Sequence, residues 1–285
     1  MATLKQIRQR IRAAKNIQQI TKAMKLVAAA RLKKSTDRVL EARPYADKLK
    51  DIMASMSASG SLPAHPLLTK RDVNNVLVIV LTSDRGLAGG FNTTIIRKAT
   101  DFFKSLDGKP VKLISYGKKA NLFFAKRGYT IVDNYSAPSA GAQLSDAVSL
   151  TRKAREMFES GEVDAVYVIY AKFYSAVRQV PQVVQLLPIE APAAEGTAAG
   201  GEVEFEPSAE VVLNTLLPRY FQTLVWQSML ESTASEFGAR MSAMTAATDN
   251  AGKMIHTLTL KANRERQAAI TKEILEVVGG AEALN

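Results

Sequence analysis

The sequence predicts an α/β protein with two parts: a long antiparallel coiled coil of the N- and C-terminal helices, and a central Rossmann-like α/β domain between them. Three observations predict it. A heptad pattern runs through the last segment, residues 2–57 contain no glycine, and the stretch between alternates strand-like with helix-like patterns.

The N-terminal helix is placed at residues 1–59. Apolar side chains fall at Leu4, Ile7, Ile11 and Ala14, then at Ile17, Ile20, Met24 and Val27. The steps alternate between 3 and 4 except between Ala14 and Ile17, which predicts a coiled-coil seam with one register slip. Pro44 is expected to kink the helix or end its first section, and Gly60, Pro63 and Pro66 to stop it.

The central α/β domain is placed at residues 70–190. Val76–Leu81 is a short unbroken apolar run, as in a strand buried on both faces. Further strands are expected at Val111–Tyr116, Tyr129–Val132, Ala165–Tyr170 and Gln182–Pro188, with helices near 92–105, 118–126 and 144–158. Such alternation predicts a mostly parallel sheet covered on both faces. Residues 191–207, rich in Ala, Gly and Pro, read as a linker or foot loop.

The C-terminal helix is placed at residues 208–285. From Leu230 its core positions are Ala234, Phe237, Met241, Met244, Thr248, Ala251, Ile255, Leu258 and Ala262, in steps of 4 and 3 without a fault. At ~1.5 Å per residue, ~70 residues would make a rod on the order of 100 Å, longer than the α/β domain. Its seam needs a partner, and the N-terminal stripe matches it. The intervening domain returns the chain, so the pair is antiparallel.

Composition narrows the function. Cysteine is absent and the only histidines are His65 and His256, so thiolate chemistry and a histidine-rich metal site are excluded. There is no run of ~18 apolar residues to span a membrane, and the N-terminus lacks the apolar core of a secretory signal. The formal charge of +11 is carried by one region. Residues 1–50 hold 14 Lys/Arg against Asp37, Glu41 and Asp47, and the rest of the chain balances. Such a helix calls for an acidic partner: nucleic acid, an anionic membrane surface or an acidic protein.

Candidate chemistry is sparse. Thr82-Ser-Asp-Arg-Gly-Leu-Ala-Gly-Gly-Phe-Asn92 follows a strand and precedes a helix, where phosphate loops occur. Its glycines, Gly86, Gly89 and Gly90, form G-x-x-G-G and no Lys-Ser/Thr pair follows, so a structural or partner-facing turn competes with nucleotide binding. Gly117-Lys118-Lys119 matches the end of a P-loop only in part. Phe173 and Tyr174 beside Lys172 suit either base stacking or a strand end. Met24, Met241 and Met244 lie on the seams and read as packing. Asn263-Arg-Glu-Arg-Gln267 reads as a solvated face or as contacts to an enclosing protein.

Together these residues resemble the γ subunit family of F-type ATP synthases, over nearly the whole chain. Ile7-Arg-Gln-Arg-Ile11 and Gln19-Ile-Thr-Lys-Ala-Met-Lys-Leu-Val27 are similar to the family's opening helix, and Thr82–Asn92 to its central signature. The end matches best: Ala234–Met244, Asn263, Arg266–Ile274 and Gly279–Leu284. The resemblance implies a non-catalytic shaft without cofactor, standing in a ring of three α and three β subunits that holds the nucleotide sites. It implies β-subunit contacts for Met24, Lys25, Arg85, Arg240, Arg266 and Gln267, c-ring contacts for Phe205 and Glu206, and an ε subunit on the α/β domain. It also implies peripheral attachment at the cytoplasmic face of a bacterial plasma membrane, torque transmission and control of ATPase activity and proton flow. Ala88 stands where many relatives carry cysteine, and the cysteine-bearing insertion of chloroplast members is missing. Two competing readings remain: a nucleic-acid binder using its basic helix, and a Rossmann-like enzyme with helical arms. The first lacks aromatic stacking residues in 1–44, and the second lacks a phosphate loop.

Overall fold

The computed structural model describes residues 3–58, 65–190, 206 and 208–282. In chain order the elements are α1 (Leu4–Ala58), β1 (Val76–Leu81), α2 (Phe91–Lys104), β2 (Val111–Tyr116), α3 (Lys118–Ala125), β3 (Thr130–Tyr135), α4 (Leu144–Glu159), β4 (Ala165–Ser175), β5 (Arg178–Leu187) and α5 (Ala209–Glu282). A short 3₁₀ turn at Pro66–Leu68 leads into β1. Pro44 and Pro218 sit inside α1 and α5, which continue past them. The five strands form one sheet in the order β3-β2-β1-β4-β5. β1, β2, β3 and β4 are parallel, and β5 returns antiparallel to β4.

The chain forms two compact units. One joins α1 through Val27 to α5 from Met241 onward, and the other is Ala28–Arg240. In the second unit the alternation of β1 side chains sorts two cores. Leu77, Ile79 and Leu81 pack with Leu150, Ala154 and Met157 of α4, Leu49 and Met53 of α1, and Leu217, Phe221 and Val225 of α5. Val76, Val78 and Val80 face Phe91, Ile95, Ala99 and Phe103 of α2 and Ala120 and Phe124 of α3. Every β1 residue is buried, and each such side chain contributes roughly 1.5–3 kcal/mol of transfer free energy. Helices thus cover both faces of a mostly parallel sheet, as the alternation predicts.

The β4–β5 pair is longer than the apolar runs suggest. β1 accompanies β4 only to Ile169, yet the hairpin pairs on through Ser175 and Arg178. Lys172, Ser175, Arg178 and Gln179 are polar there, which hides the strand from a hydrophobic reading.

In the first unit α1 and α5 run antiparallel. Thr248 Oγ1 lies 2.8 Å from Thr21 Oγ1. A Cβ on Gly252 would sit 3.1 Å from Gln18 Nε2, so numbers rise on one helix as they fall on the other. On α5, Met244 and Ala251 are buried, and Thr248, Ile255, Leu258 and Ala262 half-buried, in the positions that the heptads predict.

The α1 seam corrects the sequence reading. Ile17, Ile20 and Val27 are 53%, 59% and 50% exposed, so the slip does not exist. The seam runs through Leu4, Ile7, Ile11, Ala14, Gln18, Thr21, Lys25 and Ala28, alternating steps of 3 and 4 throughout. The helix keeps its seven-residue register with polar side chains in it: the Thr21 hydroxyl is hydrogen-bonded to Gln18 O and to Thr248 Oγ1, and Gln18 and Lys25 are half-buried. The apolar residues displaced from the seam face outward.

Candidate partner-binding surfaces

The turn between β1 and α2 is closed by its own side chains. Thr82 Oγ1 accepts from Ala120 N at 3.0 Å, and Lys119 N donates to Ser83 O at 3.2 Å. Ser83 N donates to Asn92 Oδ1 at 3.0 Å. Asp84 Oδ1 accepts from Lys118 N at 2.9 Å and Ala137 N at 3.0 Å, and Oδ2 from Ser136 Oγ at 2.5 Å. Burial raises the Asp84 carboxyl, but these hydrogen bonds and the Lys118 charge outweigh it and hold the group below its usual range. The amides at the start of α3, where a P-loop would bind phosphate, are therefore already occupied by this chain's own oxygens. The loop is a built turn, as the structural reading of its glycine pattern has it.

What the turn presents outward is Arg85, exposed, and Leu87, 64% exposed at φ 63°. Arg240 of α5 fixes it from below. Its Nη2 donates to Gly86 O at 3.3 Å and its Nη1 to Glu236 Oε1 at 2.5 Å, with the guanidinium 5.8 Å from the Phe237 ring. The Arg240 side chain is only 11% exposed. Burial pushes the Glu236 carboxyl up, and Arg240 opposes that rise. Arg85 and Arg240 are thus linked through the Gly86 turn, one as the outward cation and the other as a half-buried strut.

The remaining expected contact residues lie elsewhere. Met24 and Lys25 are half-buried on α1. Arg266 and Gln267 are exposed on α5, where the Gln267 carbonyl accepts from Thr271 Oγ1 at 2.9 Å. Glu206 is exposed, and Phe205 lies outside the described residues.

Sequence reasoning did not place a further set of outward-facing apolar side chains. Ile17, Ile20, Leu26 and Val27 of α1, and Met254, Leu260, Ile270, Ile274, Leu275, Val277 and Val278 of α5, all expose large apolar side chains. On α5 every residue from Arg266 to Gly279 is exposed. Holding a strict seven-residue period through Gln18 and Thr21 would have separated the outward set from the seam. Among the described residues no cluster of His, Asp or Glu could hold a metal ion, and no helix is long and apolar enough to cross a membrane.

The family model described as ATP synthase matches residues 3–284. The chain belongs to the ATP synthase gamma-chain family. It is 46% identical to the gamma chain of Heliobacterium modesticaldum, covering 100% of both chains. It is also 46% identical to that of Brevibacillus brevis, covering 98% of both. Among solved structures, a chain of the Euglena gracilis mitochondrial ATP synthase in rotational state 3 superposes with a TM-score of 0.69 at 18% identity, over 99% of this chain and 94% of that one. A chain of the Tetrahymena thermophila mitochondrial central stalk and c ring does so with a TM-score of 0.61 at 24% identity, over 80% and 99%. These two likenesses are likenesses of fold. As a gamma chain, the protein is a subunit of ATP synthase.

Proposed function

We propose that this chain is the central rotor shaft of its ATP synthase, transmitting torque between an ion-driven c ring and a catalytic ring of three α and three β subunits. In doing so it sets the ATPase activity and proton flow of the complex while making and breaking no bonds itself. The observation that carries the reading is the exposed apolar surface of the helix pair. A helix that exposes Ile17, Ile20 and Val27 on one side, and another that exposes Ile270, Ile274 and Val278, need a socket outside themselves. An apolar bearing suits rotation because it is not directional.

The basic residues supply the directional part. Arg266 and Gln267 contact the β subunit near the end of α5, and Arg85, with the helix around Met24 and Lys25, meets an acidic segment of β. Arg240 serves the same contact by holding Gly86 and with it the loop that carries Arg85. Charge-assisted contacts at a solvated rim are worth little individually and break at each step. The functional division is then a helix at 1–59, an α/β domain at 70–190 that binds the ε subunit, a foot at 191–207 and a helix at 208–285. Phe205 and Glu206 of the foot meet the c ring, which keeps the chain peripheral, at the cytoplasmic face of a bacterial plasma membrane. Nucleotides stay in the ring, and nucleic acid is no partner.

Replacing Arg266→Ala together with Gln267→Ala tests this in the reconstituted assembly. ATPase turnover is expected to fall severalfold while the assembly still forms. Coupled turnover equal to the parent's would overturn the assignment.

A further inference from the structure

The β4–β5 hairpin runs beyond the sheet and is clamped to α5. Ser235 Oγ donates to Ala171 O at 2.8 Å, and Phe173 packs against the cluster of Val39, Leu230 and Ala234. A Cβ on Gly238 would sit 3.2 Å from Gln179 Nε2 and 3.3 Å from the backbone of Ala176, so a side chain at this position would press the turn away from the helix. A turn held in this way presents its tip in a set position. Val177 there is 84% exposed, more than any other large apolar side chain among the described residues, and Tyr174 is 48% exposed. The Tyr174 ring centre lies 4.9 Å from the Arg178 guanidinium and 5.7 Å from Lys172 Nζ. Gln182 Nε2 donates to its hydroxyl at 3.4 Å. Arg178 is exposed and makes no ion pair among the described residues. Only two residues further along α5, Arg240 anchors the turn that carries Arg85 and Leu87.

We propose that the hairpin tip is a docking surface for an acidic amphipathic segment of a ring subunit, with Val177 as its apolar knob and Arg178 as its cation. The inference rests on the reading of this chain as a shaft among ring subunits. The chemistry favours acid beside apolar surface, because the tip sets an uncovered valine beside a guanidinium that stacks on Tyr174 and has no carboxylate partner among the described residues. A nucleobase does not suit it, since two cations already approach the Tyr174 ring and its hydroxyl has a partner. Little ordering is needed on binding, because the clamp at Gly238 has already fixed the turn.

The test uses the full chain assembled with the α and β subunits of the same organism. A photoreactive benzoylphenylalanine replaces Val177 in one preparation and Ile17 in another. Both are expected to cross-link to the ring, with the Val177 adduct mapping to a segment rich in Asp and Glu. Adding Arg178→Glu should lower that yield about tenfold, the effect of roughly 1.4 kcal/mol from a reversed charge, and leave the Ile17 adduct unchanged. If Ile17 cross-links and Val177 does not, the hairpin proposal falls and the shaft reading stands. The hairpin proposal falls equally if the Val177 adduct maps to a segment without acids, or if Arg178→Glu leaves its yield unchanged. Failure of both positions in a complex that assembles overturns the two readings together.

Discussion

Gly117 has a backbone φ of +94°, and a Cβ there would overlap the carbonyl oxygen of Thr82. That oxygen belongs to the turn that supports Arg85, so both steric and conformational costs fall on one position. Gly117→Ala should lower the unfolding free energy by on the order of 2–4 kcal/mol, read as a drop in urea midpoint at constant slope. Gly128, at φ +76° with nothing within 4 Å of a built Cβ, is the control. Gly128→Ala should cost only the backbone term of about 1–2 kcal/mol. Equal losses at both positions would show that the contact with Thr82 counts for nothing. The pair also marks what a motif reading finds and what it misses. The G-x-x-G-G spacing draws attention to Gly86, where a Cβ would meet nothing within 4 Å. Gly117 looks like a failed P-loop because the neighbour that makes it indispensable lies 35 positions away in sequence.

At the scale of elements, the β1 strand and the α5 heptads are legible because each buries an unbroken apolar period against something. The α1 seam misleads for the complementary reason. Its period passes through Gln18, Thr21 and Lys25, while isoleucines one residue earlier offer a more apolar but false stripe. The polar seam is testable. Thr21 Oγ1 donates to Gln18 O at 3.1 Å and is free to accept from Thr248, whose hydroxyl lies 2.8 Å from both Thr21 Oγ1 and Met244 O. Thr21→Val alone removes that acceptor, whereas Thr21→Val with Thr248→Val replaces both partners by near-isosteric apolar groups. A double-mutant cycle on thermal or urea unfolding should give a coupling of about 0.5–1.5 kcal/mol, with the double variant at or above the parent in stability. A coupling of zero would mean that the two hydroxyls do not interact, and that small side-chain volume alone explains threonine at these positions. The site is legible only where charge is exposed. Arg85 behaves as an outward cation, but Arg240 looks the same in sequence and is a half-buried strut.

For the whole molecule, the charge and the apolar surface meet on the same helix. Residues 1–50 carry the entire net charge of +11, and α1 also exposes Ile17, Ile20, Leu26 and Val27. Like charge resists association of two copies and salt screens it within ~10 Å at 0.1 M, whereas apolar attraction persists. The isolated full chain should therefore self-associate more as salt rises, the opposite of a nucleic-acid complex, which weakens. Changing Ile17, Ile20 and Val27 together to serine should shift the chain toward monomer in sedimentation velocity. Its unfolding midpoint should barely move, because exposed positions away from caps and cores usually stay within about 0.5 kcal/mol each. Ile7, 1% exposed in the true seam, sets the opposite expectation: Ile7→Ala should cost about 2–4 kcal/mol and leave self-association unchanged. If the serine variant instead unfolds as easily as the Ile7 variant, the stripe is core and the chain has no surplus apolar face. If it stays folded and turns monomeric, the sticky side of α1 belongs to a partner, and the balance of charge against apolar area is what keeps the free chain soluble until that partner covers it.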